Sequence, residues 1–380
     1  MEQWITFASR NQIGLVRPDG TGLHTLEFGM PSQLNWQLGP CFADGERCVL
    51  TSYEAGKPWE HMVHTHLWLY HFRRGTLDEL ATQQRLAPMT LCAALLPGEA
   101  RMVMAPIIDH EQLIYTANLD GSEPEALTSA GEGFAYGVTL SPDASRLAYH
   151  ITGPGDLPYR VCVMRCDGTH KVTVAHQEGH LYFGPAWSPD GAWLAFEDCR
   201  YQEDPGHDWA DLCLGDPADA DHQPVRGLTS DRRQWFGTSF GGPQTRGSGS
   251  EIACWSPDGQ WITYTRASPG ACTAWPYQSQ RPDTDHFNRD YLPEQACGGT
   301  QVCLLNPFDG RVKELTPYEP LVWNFRARWS PDGEHMSFSR ARVGQPSEVW
   351  VMDAEGAHAR LLTRGFDNAG ADHARWLVLK

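Results

Sequence analysis

The chain has 380 residues, 41% of them hydrophobic and 20% charged, which is the composition of a folded protein. Thirty basic and 47 acidic residues give a formal net charge of −17. Phosphate groups need a basic protein face, so this charge argues against a nucleic acid or an anionic membrane surface as a partner.

The chain lacks an apolar run long enough to span a bilayer, and its first residues lack the basic and then apolar opening of a secretory signal. We therefore expect a cytoplasmic protein. The 11 cysteines are odd in number and mostly occupy apolar, strand-like segments, which favours buried thiols over a disulfide framework.

Short repeats divide the chain into similar units. Trp-Ser-Pro-Asp-Gly occurs at 187–191, 255–259 and 329–333, and Ser-Pro-Asp recurs at 141–143. Pro presets φ, Asp can accept a bond from a nearby backbone N–H, and Gly tolerates positive φ, so each copy predicts a tight turn. A short alternating run follows each copy, so each unit is predicted to begin with an antiparallel hairpin.

A second hairpin is predicted in each unit by turns of the Asp-Gly or Glu-Gly type, at 18–20, 119–121, 166–168, 308–310 and 354–356. Four strands at intervals of roughly fifty residues match the spacing of β-propeller blades. Weaker first hairpins at 35–53 and 90–105 complete the count. Innermost strands are then predicted near residues 35, 90, 135, 181, 250, 324 and 371, which makes seven blades.

The two ends of the chain complement each other. Residues 2–7 resemble 259–264, a second strand with no first strand before it, and residues 373–376 resemble 326–329, a first strand with little after it. The predicted fold is all-β: residues 1–380 form a single seven-bladed β-propeller of four-stranded antiparallel blades. Pairing of the N- and C-terminal strands closes the ring and removes its exposed edges.

Four long insertions are predicted on one face of this ring, at 54–63, 201–208, 236–249 and 267–298. Three of them follow a second strand and one precedes a first strand, which places all four around one mouth of the central channel. Loops carried on a rigid scaffold are where function concentrates.

Cationic and polar residues are predicted at the same mouth. Second strands end at His150, Arg200, Arg266 and Arg340, and first strands start with Asn35, Tyr136, His180, Tyr182, Asn324, Arg326 and His373. So many cations on an acidic protein indicate an anionic ligand, a carboxylate or a phosphate held by Arg forks. The alternative is that each Arg pairs with a carboxylate between blades, such as Asp198 or Glu251.

The insertions add further candidate substrate-binding residues. These are His207, Arg246, Trp275, Arg281, His286, Arg289 and Tyr291. Aromatic rings among charges suit the stacking of sugar rings. The alternative is an insertion that packs over the ring or against a neighbouring subunit, so homo-oligomerisation is a further alternative.

A metal site is a weaker hypothesis. His64 and His66 would share one face of a strand, and such a pair can bind a divalent cation such as manganese, zinc or calcium. The remaining ligands are not identifiable, and histidines that are simply exposed or hydrogen-bonded are the alternative. The sequence contains no phosphate loop, dinucleotide fingerprint or His-Glu-X-X-His motif.

The Trp-Ser-Pro-Asp-Gly segments resemble the repeats of periplasmic Tol-type propellers, which specify architecture and not chemistry. The blade count, the chain length, Tyr136-Gly137 and residues 206–211 resemble the propeller polysaccharide lyases, which include oligogalacturonate, ulvan and rhamnose–glucuronate lyases. This resemblance implies β-elimination beside a uronate carboxylate of an anionic oligosaccharide. A cation neutralises the carboxylate, a base removes the C5 proton and an acid protonates the leaving oxygen.

For that reaction we expect Arg200, Arg266 or Arg326 as the neutralising cation, and His150, His180 or Tyr182 as base and acid. Oligogalacturonate lyases carry metal-binding histidines near the starts of their late blades, where this chain has Asn324 and Arg326. The resemblance therefore implies a metal-free variant, closer to the ulvan type, that requires no cofactor. Two alternatives stay open: a non-catalytic propeller that binds a protein or a glycan, and a propeller glycosidase that uses carboxylates at 198–208.

Overall fold

The computed structural model describes residues 2–9, 12–29, 34–54, 65–83, 91–108, 111–153, 159–198, 209–218, 225–235, 237–240, 247–250, 253–272, 292–364 and 370–380. Over these ranges the regular structure is β, apart from single-turn 3₁₀ helices at Ala130–Glu132 and Pro293–Gln295. No helix in the described ranges is long and apolar enough to cross a lipid bilayer.

Seven antiparallel sheets follow one another along the chain, which confirms the predicted seven-bladed propeller. The strands of each blade are given from the innermost outward. Blade 1 has Leu34–Cys41, Arg47–Glu54, His66–His71 and Thr76–Leu80. Blade 2 has Leu91–Leu95, Arg101–Ala105, Tyr115–Asn118 and Glu125–Ala126. Blade 3 has Phe134–Leu140, Arg146–Thr152, Arg160–Arg165 and Val172–Ala175.

The remaining blades follow the same plan. Blade 4 has Tyr182–Trp187, Leu194–Asp198, Trp209–Gly215 and Arg226–Gly227. Blade 5 has Cys254–Trp255, Ile262–Ala267, Thr300–Leu305 and Val312–Glu314. Blade 6 has Val322–Trp329, His335–Arg342, Glu348–Asp353 and Arg360–Leu361. Blade 7 has Asp372–Leu379, Glu2–Ser9, Gln12–Val16 and His24–Thr25.

Three short additions lie outside this plan. Gln234–Trp235 pairs with the third strand of blade 4 and the second strand of blade 5, and so joins the two sheets. Two small ribbons are formed by Ile107–Ile108 with Glu111–Gln112, and by Gly237–Phe240 with Gly247–Ser250.

The Ser-Pro-Asp-Gly turns use every polar group of the motif. In blade 4, the Ser188 hydroxyl donates to Asp190 Oδ1 at 2.5 Å, and the Ala192 N–H donates to the same oxygen at 3.0 Å. The Trp193 N–H donates to Ser188 Oγ at 2.9 Å, while Gly191 has a φ of 70° that favours glycine. The motif therefore specifies a turn, as the sequence predicts.

The tryptophan that begins each motif joins adjacent blades. Trp187 Nε1 donates to the Thr139 carbonyl of blade 3 at 3.3 Å, and Trp255 Nε1 donates to the Ala186 carbonyl of blade 4 at 3.1 Å. Trp329 Nε1 reaches Thr263 Oγ1 of blade 5 at 2.7 Å. Each indole also packs into the apolar layer between blades, so the repeat supplies a hydrogen bond together with buried apolar area.

Blade 7 is built from both ends of the chain. Its innermost strand, Asp372–Leu379, pairs antiparallel with Glu2–Ser9, with Trp4 opposite Leu377 and Thr6 opposite Arg375. Leu377 is buried with Trp4, Trp36 and Leu50 in the layer between blades 7 and 1. The predicted closure of the ring by the terminal strands is therefore confirmed.

Truncation of Leu377 tests how much the closing strand contributes to stability. Leu377 is 4% exposed, so Leu377→Ala leaves a cavity between blades 7 and 1. We expect the free energy of unfolding to fall by about 2–5 kcal/mol, measured by urea denaturation. As the control, Val312→Ala on an outer strand, where Val312 is 44% exposed, should cost less than about 0.5 kcal/mol. If the two variants lose the same unfolding free energy, the proposed contribution of the closing strand to stability is wrong.

Candidate functional site

The predicted mouth is the edge of the ring at which innermost strands begin and second strands end. The residues paired across these two strands are Asn35 with Tyr53, Tyr136 with His150, Tyr182 with Asp198, Asn324 with Arg340, and Asp372 with Ala8. The Ser-Pro-Asp-Gly turns lie at the opposite edge. We call the first of these two edges the mouth edge.

His150 lies in the layer between blades 3 and 4 and is 5% exposed. Its Nδ1 accepts a bond from the Gly184 N–H at 3.4 Å, and its ring lies 5.4 Å from Phe183 and 6.1 Å from Tyr159. Burial lowers the pKa of His150 to about 3, so the ring is neutral at pH 7. This environment suits a packing residue better than a proton acceptor for a substrate.

His180 and Tyr182 lie together at the start of blade 4. His180 Nδ1 is 2.7 Å from Asp198 Oδ2, and its ring stacks on Tyr182 with the centroids 5.6 Å apart. Asp198 and Tyr182 are both buried, and the His180 side chain keeps 20% of its surface exposed. A buried carboxylate that orients a partly exposed histidine is an arrangement found at general bases.

Arg326 of blade 6 forms a buried ion pair with Asp372 of blade 7. Asp372 Oδ1 also accepts a bond from the Ser339 hydroxyl at 2.6 Å, and Oδ2 lies 3.3 Å from His373 Nδ1. Burial raises the pKa of Asp372, but Arg326 and His373 outweigh that effect and hold the pKa well below its usual range. The pair therefore links two blades through opposite charges in a nearly dry environment.

Arg326 and His373 also occupy unusual backbone positions. Their φ angles are 52° and 57°, at the same irregular step of the innermost strand where blades 3 and 4 have Gly137 and Gly184. A left-handed conformation costs a non-glycine residue about 1–2 kcal/mol. Arg326 and His373 replace glycine at this step in adjacent blades, which marks the junction as a place where function can offset strain.

Arg266 and Arg340 have carboxylate partners, as the alternative interpretation of the arginines supposes. Arg266 lies 3.2 Å from Asp231 and 3.7 Å from Glu314. Arg340 lies 2.5 Å from Glu319. Arg340 also donates to Asn324 Oδ1 at 3.3 Å, and Asn324 is fully buried, with its amide donating to the Thr300 carbonyl at 3.0 Å.

A pocket of about 370 Å³ opens between blades 7 and 1. We call it the closure pocket, and its polar lining consists of Thr6, Asn35, Gln37, Tyr53, His373 and Arg375. Asn35 and His373 are candidates from the sequence, and the pocket brings them together. Gln37, Tyr53 and Arg375 are pocket residues that sequence reasoning missed.

The pKa shifts of the pocket's titratable side chains keep both groups uncharged at neutral pH. The His373 side chain is 52% exposed. Desolvation by the surrounding protein and the Arg326 charge lower its pKa against the opposing effect of Asp372, so it is neutral at pH 7. Burial raises the pKa of Tyr53, whose hydroxyl accepts a bond from Gln37 Nε2 at 3.0 Å. The pocket therefore combines a neutral imidazole with a protonated phenol.

Arg375 is the cation of the closure pocket. Burial and the neighbouring Arg328 lower its pKa, although it stays protonated at any physiological pH. Arg375 donates to the Leu38 carbonyl at 3.0 Å, and Arg328 donates to the Ala327 carbonyl at 2.9 Å. Among the residues that the structure describes, no carboxylate forms an ion pair with either arginine. The repeated Ala-Arg-Trp at 327–329 and 374–376 is the sequence signal that could have identified them.

Several sequence candidates lie outside the described residues: His64, Arg200, His207, Arg246, Trp275, Arg281, His286, Arg289 and Tyr291. The backbone of Tyr136 pairs with that of His150, but its side chain is also outside the described part. The structure thus leaves most of the predicted sugar-stacking residues as predictions.

The candidate metal ligands do not gather in the closure pocket. His66 Nδ1 lies 2.7 Å from Glu79, and its ring stacks 5.8 Å from Trp68. Within the described ranges, Asp332, Glu334 and His335 have ligand atoms within 4.8 Å of one another and form a possible acidic cation site. They lie in the Ser-Pro-Asp-Gly turn of blade 6, at the edge opposite the mouth edge.

Comparison with known proteins shows the fold and not a family. No protein-family model matches the chain, and no curated protein matches it. A puromycin hydrolase structure is similar with a TM-score of 0.61 at 15% identity, covering 98% of this chain and 53% of that one. TolB from Acinetobacter baumannii is similar with a TM-score of 0.50 at 14% identity, covering 99% of this chain and 66% of that one.

An oligogalacturonate lyase in complex with manganese is also similar, with a TM-score of 0.56 at 13% identity, covering 94% of this chain and 84% of that one. This chain thus spans 66% of the TolB structure and 53% of the puromycin hydrolase. At these identities the similarity shows the propeller fold alone, which this chain shares with structures of a lyase, a hydrolase and TolB.

The buried ion pair predicts a pH-dependent stability. The folded pKa of Asp372 lies below its unfolded value of about 3.9, so its charge stabilises the fold above that pH and is lost as the pH falls. Asp372→Asn leaves Arg326 buried without its anion, and we expect a loss of about 3–5 kcal/mol of unfolding free energy at neutral pH. In urea denaturation, the difference in unfolding free energy between the wild type and the variant should decrease as the pH falls below about 3.9.

The control for this experiment is Asp78→Asn, which removes an exposed carboxylate beside His71. An exposed pair contributes about 0–1 kcal/mol, so this variant should match the wild type closely. If the difference in unfolding free energy between the wild type and Asp372→Asn stays constant from neutral to acid pH, the charge of Asp372 does not stabilise the fold as we predict.

Proposed function

We propose that this chain is a lyase that cleaves a uronate-containing oligosaccharide by β-elimination in the closure pocket. The observation that carries the proposal is the composition of that pocket, in which Arg375 lies with His373 and Tyr53. These residue types correspond to the cation, the base and the acid that the reaction requires.

The cation has to neutralise the uronate carboxylate, because only then does the C5 proton become acidic enough to be removed. Arg375 fits this role because, among the described residues, no carboxylate forms an ion pair with its guanidinium. The neighbouring Arg328 adds positive potential beside it. Arg266 and Arg326, the candidates from the sequence, already face Asp231 and Asp372. Arg200 lies outside the described ranges and stays a candidate for the neutralising cation.

The base and the acid come from opposite sides of the pocket. His373, on the closing strand, is neutral at pH 7 and can accept the C5 proton. Tyr53, at the end of the second strand of blade 1, stays protonated because burial raises its pKa, and it can donate its proton to the glycosidic oxygen. The C5–H and C4–O bonds break, a C4–C5 double bond forms, and the shortened sugar leaves with the proton from Tyr53.

Amide side chains complete the polar lining. Gln37 donates to the Tyr53 hydroxyl and so fixes its orientation. Asn35 lies opposite Tyr53 in the strand register and offers both a donor and an acceptor to sugar hydroxyls. These contacts favour a carbohydrate over a purely apolar ligand.

The similarity to the oligogalacturonate lyase supports the proposal only as far as the fold, since it shows that a propeller of this plan can carry such chemistry. That structure holds manganese, but the closure pocket is a poor match for a metal. Its described lining offers one histidine, two amides and a phenol, and the adjacent Asp372 is already bonded to Arg326 and Ser339. No step of the proposed reaction therefore involves a metal.

Removal of the Arg375 charge tests the proposal most directly. Arg375→Met should lower kcat/KM on uronate oligosaccharides by about 10²–10³-fold, since the developing negative charge loses its stabilising cation. Appearance of the unsaturated product, followed by ultraviolet absorbance, gives the rate. Arg165→Met, which removes an exposed arginine from the third strand of blade 3, is the matched control and should keep full activity.

Three outcomes contradict the lyase assignment. Unchanged activity in Arg375→Met places the reaction elsewhere, and products that have gained water indicate a propeller glycosidase instead. Binding of the oligosaccharides without cleavage indicates the non-catalytic alternative, a propeller that binds a glycan or a protein.

The state of His373 predicts the acid side of the pH profile. A histidine base works only when neutral, and the pKa of His373 is lowered from its ordinary value of 6.5. The wild-type kcat/KM should therefore keep its plateau as the pH falls through 6.5 and decline only at lower pH. A profile whose acid limb has its midpoint at or above 6.5 would rule out His373 in this environment as the base.

A further inference from the structure

The innermost hairpin of blade 1 carries one cysteine on each strand. Cys41 lies directly opposite Cys48 in the strand register, seven residues away along the chain. At the same step, other blades pair Trp187 with Leu194, Trp329 with Met336, and Leu95 with Met102. Blade 1 therefore has two thiols where those blades have apolar pairs.

The geometry of this pair suits a disulfide bond. The next residues toward the turn, Phe42 and Arg47, share a hydrogen bond from N–H to carbonyl at 2.9 Å, so Cys41 and Cys48 form a non-hydrogen-bonded pair. The Cα atoms of such pairs lie about 4.5 Å apart, inside the range of about 4.4–6.8 Å that disulfides span. The two thiols already hydrogen-bond to each other.

The two cysteines differ in environment. Cys41 is exposed, whereas Cys48 is fully buried among Trp36, Leu50 and Tyr70. The hydrogen bond from Cys48 lowers the pKa of Cys41, and nearby Arg375 lowers it further, against the opposing effects of burial and Asp44. Burial raises the pKa of Cys48. Cys41 is therefore the thiol that a reagent in solution reaches first, and its lowered pKa raises the fraction present as thiolate.

We propose that Cys41 and Cys48 are a redox pair, with Cys41 as the attacking thiol and Cys48 as the resolving thiol toward small-molecule disulfides. The Cys41 thiolate attacks one sulfur of oxidised glutathione, which forms a mixed disulfide and releases one glutathione thiolate. Cys48 then attacks Cys41 Sγ while its proton passes to the departing glutathione sulfur, which closes the Cys41–Cys48 bond and releases the second glutathione as a thiol. The two cysteines lose two electrons, and oxidised glutathione gains them.

Trypsin provides a direct test, because it cleaves after Arg47, between the two cysteines. After treatment of the folded chain with oxidised glutathione and alkylation of the remaining thiols, the peptide that ends at Arg47 should stay linked to the peptide that begins at Cys48. The folded protein should lose two thiols per chain, and dithiothreitol should restore both. The bond closes a short hairpin only, so little change in melting temperature is expected.

Three variants separate the roles of the thiols. Cys48→Ser should keep one glutathione on Cys41, because no resolving thiol remains. Cys41→Ser should leave Cys48 unmodified, since that thiol is buried. Cys92→Ser, which removes a buried thiol of blade 2, should form the cross-link as the wild type does.

The proposal is overturned if the wild-type chain keeps both thiols under these conditions, or if glutathione stays on Cys41 while Cys48 remains reduced. Modification of Cys48 in the Cys41→Ser variant would also overturn it. The wild-type result stands without the variants, so misfolding of a variant does not remove the test. None of these outcomes depends on the proposed lyase activity.

Discussion

Pairing of the first strand of the chain with the last is the interaction on which the rest of the molecule depends. It closes the ring, and it also creates the junction between blades 7 and 1 at which the closure pocket opens. His373 and Arg375 reach that pocket from the C-terminal strand, while Asn35 and Tyr53 reach it from blade 1. Residues more than 300 positions apart in the sequence become neighbours only because the two termini share one sheet.

Charge pairing explains why this junction differs from the rest of the mouth edge. On a chain of net charge −17, an arginine readily finds a carboxylate, as Arg266 and Arg340 do. Arg326 pairs with Asp372, the carboxylate next to His373, whereas Arg375 donates to the Leu38 carbonyl. Burial and the Arg326 charge lower the pKa of His373 against the opposing effect of Asp372, and the Arg375 guanidinium stays available to an anionic ligand. These are the two properties that the proposed chemistry requires.

The architecture was predictable because its signals are local. Ser188, Asp190 and Gly191 specify a turn within five residues, and the repeated tryptophan shows where the innermost strand ends in blades 4, 5 and 6. The site was less predictable because ion pairing depends on the blade that each side chain faces. Two arginines of blade 6, Arg326 and Arg328, lie two residues apart on one strand, yet the first pairs with Asp372 and the second donates to a backbone carbonyl. The contribution of the candidate residues in the insertions to substrate binding stays a prediction.

Backbone strain ties the site to the fold. The irregular step of the innermost strand recurs around the ring, and glycine satisfies it without cost in blades 3 and 4. Blades 6 and 7 have Arg326 and His373 there, two side chains that a stability argument alone would replace by glycine. Both side chains contact Asp372, so the strained backbone step and the ion pair occur together at the junction where His373 lines the closure pocket. A ring that needed only to close would not require either side chain at this step, which is why we place the chemistry at this junction.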